Sequence, residues 1–115
     1  MTAEQYALRF ISGKDHGREV QLPPDRELVV GRAGDVDLLI LDDKVSRKHA
    51  KISTFGAKIV IEDMESRNGV FANGERVRRA ELTEGDEIQI GSSAIRLVAL
   101  KNGAPPSRGS GMALP

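Results

Sequence analysis

The sequence predicts an all-β domain of sandwich or barrel type, and three observations predict it. Apolar residues recur in short runs or with a period of two. No window keeps apolar residues at helical spacing for three turns. Gly, Pro, Asn and Asp punctuate the chain about every eight to twelve residues, the rhythm of short strands joined by turns. A length of 115 residues fits one domain. With 39% hydrophobic residues, 3% aromatics and no Trp, its core must be built from Val, Ile and Leu.

The elements follow in order. Residues 6–11 form the first strand-sized run, and a turn between Gly13 and Gly17 separates it from Glu19–Leu22. Pro23-Pro24 ends the second run, because proline cannot donate to a ladder. Runs at 27–30, 38–41, 51–53 and 58–61 come next. Asn73-Gly74, between Val70–Ala72 and Glu75–Val77, is a hairpin signal, since both central residues of a type I′ turn need φ > 0. Gly85-Asp86 precedes Glu87–Ile90, and Gly91-Ser92 precedes the last run at 95–100. These signals divide the chain into a short N-terminal arm (1–5), one domain (6–100) and a tail or linker (101–115). The last segment holds three Gly, three Pro and two Ser, too little apolar content to offset the entropy of ordering it.

Composition removes several function classes. Lys plus Arg number 17 and Asp plus Glu 17, with neither half of the chain carrying a strong excess. Without a basic surface, and with one Tyr and three Phe for stacking, no nucleic-acid partner is expected. The absence of cysteine removes disulfides, thiolate metal sites and cysteine nucleophiles. The N-terminus lacks a signal peptide's basic and apolar regions, and the longest apolar run, 38–41, is far short of a span, so the expected location is the cytoplasm, with no membrane partner.

Enzymatic readings fail on their own chemistry. The two histidines, His16 and His49, have no companion ligands at a recognisable spacing, so no metal or other cofactor is expected. Ser46 and His49 stand three residues apart without a glycine elbow around the serine, which favours a loop-bracing histidine over a nucleophile and base. No Gly-rich phosphate loop backed by a helix exists.

What remains is a set of small polar and basic residues at strand ends: Gly31-Arg32, Ser46-Arg47-Lys48-His49 and Ser66-Arg67-Asn68-Gly69. In a sandwich the loops of one end converge, so the three sets can share a site. Arginine offers a planar fork of donors, serine a short hydroxyl, and asparagine two donors with an acceptor. Together they suit a tetrahedral dianion such as a phosphate monoester, carried by an extended peptide whose main chain the asparagine can satisfy. The alternative is a solvated surface, which is what most exposed Arg and Ser residues form.

Taken in order, Gly31-Arg32, Ser46-x-x-His49, Ser66-x-Asn68-Gly69 and Asn73-Gly74 resemble the signature of the forkhead-associated (FHA) domain over roughly 6–100. The resemblance implies an eleven-stranded β-sandwich of the SMAD/FHA-like type that binds phosphothreonine peptides through loops at one end, without catalysis. It implies that Arg32 contacts the phosphate, Ser46 donates to it, Arg47 adds a second contact and Asn68 bonds the peptide main chain, with Ser66 and Arg67 lining the same loop. Gly31, His49, Gly69, Asn73 and Gly74 belong to the scaffold in this comparison. Val70 departs from the threonine many members carry there, which puts local loop bonding in question. The implied partners are phosphothreonine-containing proteins, Ser/Thr kinases or their substrates, met by a monomeric adaptor. Against this stands a phospho-independent structural or oligomerisation module.

Overall fold

A computed structural model describes residues 5–56 and 58–100. The residues read as a tail, and all but one of those read as an N-terminal arm, lie outside this range; Gln5 already belongs to the first strand. Eleven strands are present among the described residues: β1 (Gln5–Ser12), β2 (Glu19–Leu22), β3 (Glu27–Gly31), β4 (Leu38–Leu39), β5 (Ala50–Phe55), β6 (Lys58–Asp63), β7 (Val70–Ala72), β8 (Glu75–Val77), β9 (Arg79–Leu82), β10 (Glu87–Ile90) and β11 (Ser93–Leu100). They form a six-stranded sheet in the order β2-β1-β11-β10-β7-β8 and a five-stranded sheet in the order β4-β3-β5-β6-β9. The pairings are antiparallel except β3 with β4.

Side-chain alternation explains the two layers. Ile88 and Ile90 of β10, with Ile95 and Leu97 of β11, turn inward, while Gln89 and Arg96 between them face water. Leu8 and Phe10 of β1 join them from the same sheet, and Val30, Ile52, Ile59 and Ile61 meet them from the other. Each such side chain contributes about 1.5–3 kcal/mol of burial, so an aliphatic core compensates for the scarcity of aromatics. The outer faces carry charge pairs across neighbouring strands, such as Arg9 with Glu19 (3.3 Å) on one sheet and Lys51 with Glu62 (3.6 Å) on the other.

Two elements differ from the pattern read in the sequence. The run 38–41 yields a two-residue strand: the Ile40 amide still donates to the Gly31 carbonyl (2.8 Å), and pairing ends where Leu41 turns out to 64% exposure. Strand β9, Arg-Ala-Glu-Leu, has too few apolar residues to stand out. It exists because its pairing with β6 places Leu82 opposite Ile59 and Ala80 opposite Ile61. The Asn73-Gly74 turn has φ of 49° and 88°, as a type I′ hairpin requires, and thereby fixes the phase of β8 against β7.

Candidate functional site

Three loops meet at one end of the sandwich: 32–37 after β3, 40–49 between β4 and β5, and 64–69 between β6 and β7. Their junction is fixed by main-chain bonds. The Arg32 and Ala33 amides each donate to the Arg47 carbonyl (both 3.2 Å), and the His49 amide donates to the Val30 carbonyl (2.8 Å). Gly31 is required at the crossing, since a Cβ there would collide with the Arg47 carbonyl oxygen.

His49, fully buried, joins the second loop to the third. Its Nδ1 accepts the Ser46 amide N–H at 3.0 Å, which places the ring proton on Nε2, and Nε2 lies 2.8 Å from the Gly69 carbonyl. Within the third loop the Asp63 carboxylate accepts the Ser66 amide (2.9 Å), and Ser66 Oγ accepts the Gly69 amide (2.9 Å). Gly69 itself sits at φ 87°. These bonds answer the question raised by Val70: the loop is braced by Ser66 and Asp63, and Val70 is a core residue facing Ile90 and Val77.

The loops enclose a cavity of about 530 Å³ lined by Arg32, Asp43, Lys44, Val45, Ser46, Arg47, Lys48, Glu65, Arg67 and Asn68. Of the residues singled out as ligands, Arg32, Ser46, Arg47, Arg67 and Asn68 are brought together there. The Arg32 Nε–H is held by the Val45 carbonyl (2.9 Å), which orients the guanidinium and leaves its terminal nitrogens for a ligand. Ser46 Oγ accepts the Arg67 amide N–H (2.9 Å), so its own proton is left for an acceptor in the cavity. Asn68 gives its Nδ2–H to the Lys44 carbonyl (2.7 Å) and retains Oδ1 as an acceptor. Ser66 is the exception. It is buried and does not line this cavity, and its Oγ accepts the Gly69 amide within its own loop, so in this structure it braces the loop.

Lys44, Asp43 and Glu65 line the cavity without having been singled out. Lys44 could have been found from its place two residues before Ser46; Glu65 could not, because a left-handed φ of 56° swings it over the site. Asp42 ties the second loop to the β10–β11 turn. Its carboxylate accepts the Lys44 amide (2.9 Å) and the Ser92 amide (2.9 Å). The Lys44 bond, partly opposed by burial and aided by Ser92, holds the Asp42 carboxyl below the usual carboxylate range. Asp86 is likewise lowered, first by the Thr83 amide, against some desolvation, and then by Asn73. Among the described residues no group of three or more histidines and carboxylates is placed to hold a metal ion.

Comparison with known proteins places this geometry. Residues 9–101 match the family described as the inner membrane component of the type III secretion system, cytoplasmic domain. The glycogen accumulation regulator GarA of Mycolicibacterium smegmatis is 42% identical over 81 residues, covering 70% of this chain and 49% of that protein. The chain therefore spans about half the length of this curated relative. An FHA domain solved for its phosphothreonine-dependent interactions is 31% identical with a TM-score of 0.75, covering 82% of this chain and 95% of that one. Mycobacterium tuberculosis EmbR, solved with a low-affinity phosphopeptide, is 33% identical with a TM-score of 0.74, covering 82% of this chain and 24% of that one.

Proposed function

The chain belongs to the forkhead-associated domain family, and we propose that it binds phosphothreonine in partner proteins and couples a Ser/Thr kinase to an effector. The observation that carries this reading is the convergence in one cavity of the unspent donors of Arg32 and Ser46 with Arg47, Lys48 and Arg67. A phosphate monoester bears about −1.5 to −2 charge at neutral pH, and each charge-assisted bond to it contributes about 1.5–3 kcal/mol.

In this reading Arg32 forks onto the phosphate, Ser46 donates its hydroxyl and Arg47 supplies a further cation. Asn68, through Oδ1, accepts a main-chain amide of the peptide. The domain acts by binding, without catalysis or cofactor, as an adaptor or regulator whose partners are Ser/Thr kinases or their substrates. The cytoplasm, where such kinases act, is its proposed location; among the described residues no helix is long and apolar enough to cross a membrane.

Isothermal titration of the chain with a phosphothreonine peptide and its unphosphorylated twin tests the reading. Binding of the phosphorylated peptide alone, lost in Arg32→Ala and Ser46→Ala, is expected. Equal affinity for both peptides, or self-association indifferent to both substitutions, would instead support phospho-independent assembly.

A further inference from the structure

Beside the loop 64–69 lies a second groove of about 790 Å³, lined by Glu62, Asp63, Glu65, Ser66 and by Arg76, Val77, Arg78 and Arg79 of the β8–β9 segment. Its charges are unequally committed. Glu62 is taken by Lys51 (3.6 Å) and by Arg79 (3.8 Å). Asp63 is taken by the Ser66 amide (2.9 Å). Arg76 and Arg78, both exposed, have no ion-pair or hydrogen-bond partner for their side chains among the described residues. The groove therefore presents two free guanidinium groups.

Their positions follow from the backbone. The tight turn at Asn73-Gly74 sets the phase of β8, so Val77 turns toward the core and Arg76 away from it. Arg76 lies across Gly69: a Cβ on that glycine would come within 2.5 Å of Arg76 Nε and 2.9 Å of its Cζ. The bare glycine thus seats the guanidinium stem against the loop that carries Arg67 and Asn68. Arg78 is anchored by its main chain, whose carbonyl accepts the Asp63 amide (2.8 Å).

The groove and the phosphate cavity adjoin. Glu65 lines both, and the neighbours Ser66 and Arg67 line one each, so only the 64–69 loop separates them. We propose that an acidic stretch flanking the phosphothreonine crosses the 64–69 loop and binds in this groove through Arg76 and Arg78, whose planar forks match carboxylates. The inference rests on the phosphothreonine reading of the Arg32 cavity. It also sets a distance. Glu65 stands at the crossing and repels a carboxylate there, so the selected acids lie a few residues from the phosphothreonine, not beside it.

The test is fluorescence polarisation with three phosphothreonine peptides: neutral flanks, or aspartates two to five residues away on the N-terminal or the C-terminal side. Two exposed charge pairs of ordinary strength give about a 5- to 20-fold gain for one acidic peptide over the neutral one. The gain should shrink at high salt, fall to about 2- to 5-fold in Arg78→Gln, and fall to within about twofold in the Arg76→Gln/Arg78→Gln double variant. Affinity for the neutral peptide should stay unchanged in Arg78→Gln, which decides the matter if Arg76→Gln disturbs the loop. Binding of the neutral phosphopeptide with no gain from either acidic flank, or a gain that survives both variants, would overturn the proposal. Failure of every phosphopeptide to bind would sink the cavity reading, and this one with it.

Discussion

His49 Nε2 lies 2.8 Å from the carbonyl oxygen of Gly69, twenty residues further along the chain. Because Nδ1 of the same ring accepts the Ser46 amide, one buried imidazole sets the separation of the two loops that form the cavity. The histidine is a spacer whose two nitrogens must play opposite roles, and that requirement gives the first prediction.

His49→Ala should destabilise the domain by about 2–4 kcal/mol, since it leaves a buried amide and carbonyl unpaired and opens a cavity. Thermal unfolding measures this loss. Phosphopeptide affinity of the fraction still folded should fall as well, because Ser46 and Arg67 lose their common reference.

Arg32→Lys should weaken phosphopeptide binding by about tenfold or more, the equivalent of one charge-assisted bond, although the charge is kept. Lysine carries its three donors on one nitrogen, so it cannot hold the Val45 carbonyl with one nitrogen and present a planar fork of others beyond it, as Arg32 is placed to do. Since Arg32 is exposed, the unfolding midpoint of the variant should stay close to that of the parent. Calorimetric titration and a thermal melt read the two effects separately.

Two glycine substitutions should differ in kind. Gly31→Ala drives a methyl group into the backbone carbonyl of Arg47, which cannot rotate away, and should cost about 3 kcal/mol or more together with the phosphopeptide site. Gly74→Ala meets open space and suffers only from φ 88°, a penalty of about 1–2 kcal/mol that leaves the site intact. Chemical denaturation of both variants, each followed by peptide titration, makes the comparison.

Acid should loosen the cavity through Asp42. Its carboxyl titrates lower in the folded chain than in the unfolded one, because the charged form accepts the Lys44 and Ser92 amides. Such a group stabilises the fold above the unfolded carboxylate value of about 4, and the stabilisation disappears as pH falls through the depressed native value. Asp86 adds a contribution of the same sign. Asp42→Asn/Asp86→Asn should therefore be less stable than the parent at pH 7 and should lose less between about pH 5 and pH 2.5. Melting curves across that range, without peptide, would show two parallel declines if the carboxylates were irrelevant.

How far the sequence could be read depended on where each feature's cause resides. Inward Ile88, Ile90, Ile95 and Leu97 announce their strands by alternation, and Asn73-Gly74 announces its hairpin by backbone chemistry; both causes are local. Strand β9 and the shortness of β4 are not legible locally because their causes lie in distant partners: β9 exists through the β6 ladder, and β4 is short because its pairing with β3 ends where Leu41 turns outward. Ser66 illustrates the same limit within the site. Its residue type suits a phosphate as well as it suits a turn, and only its burial outside the cavity, with Oγ accepting the Gly69 amide, separates the two.

By itself the sequence determined the class of fold, the aliphatic core and the grouping of Arg32, Ser46, Arg47, Arg67 and Asn68 on strand-end loops, because periodicity and turn chemistry are properties of neighbouring residues. Only the tertiary structure decided which donors remain unspent. Arg32 gives Nε–H to Val45, Asn68 gives its amide to Lys44, and Arg76 rests on Gly69 with its guanidinium unpaired. Each outcome depends on a hydrogen-bond partner or a bare surface supplied from elsewhere in the chain. The balanced net charge gives no hint of it: cations collect at one end because folding gathers loops that are far apart in sequence, while the carboxylates of Asp42 and Asp63 are spent in holding those loops in place.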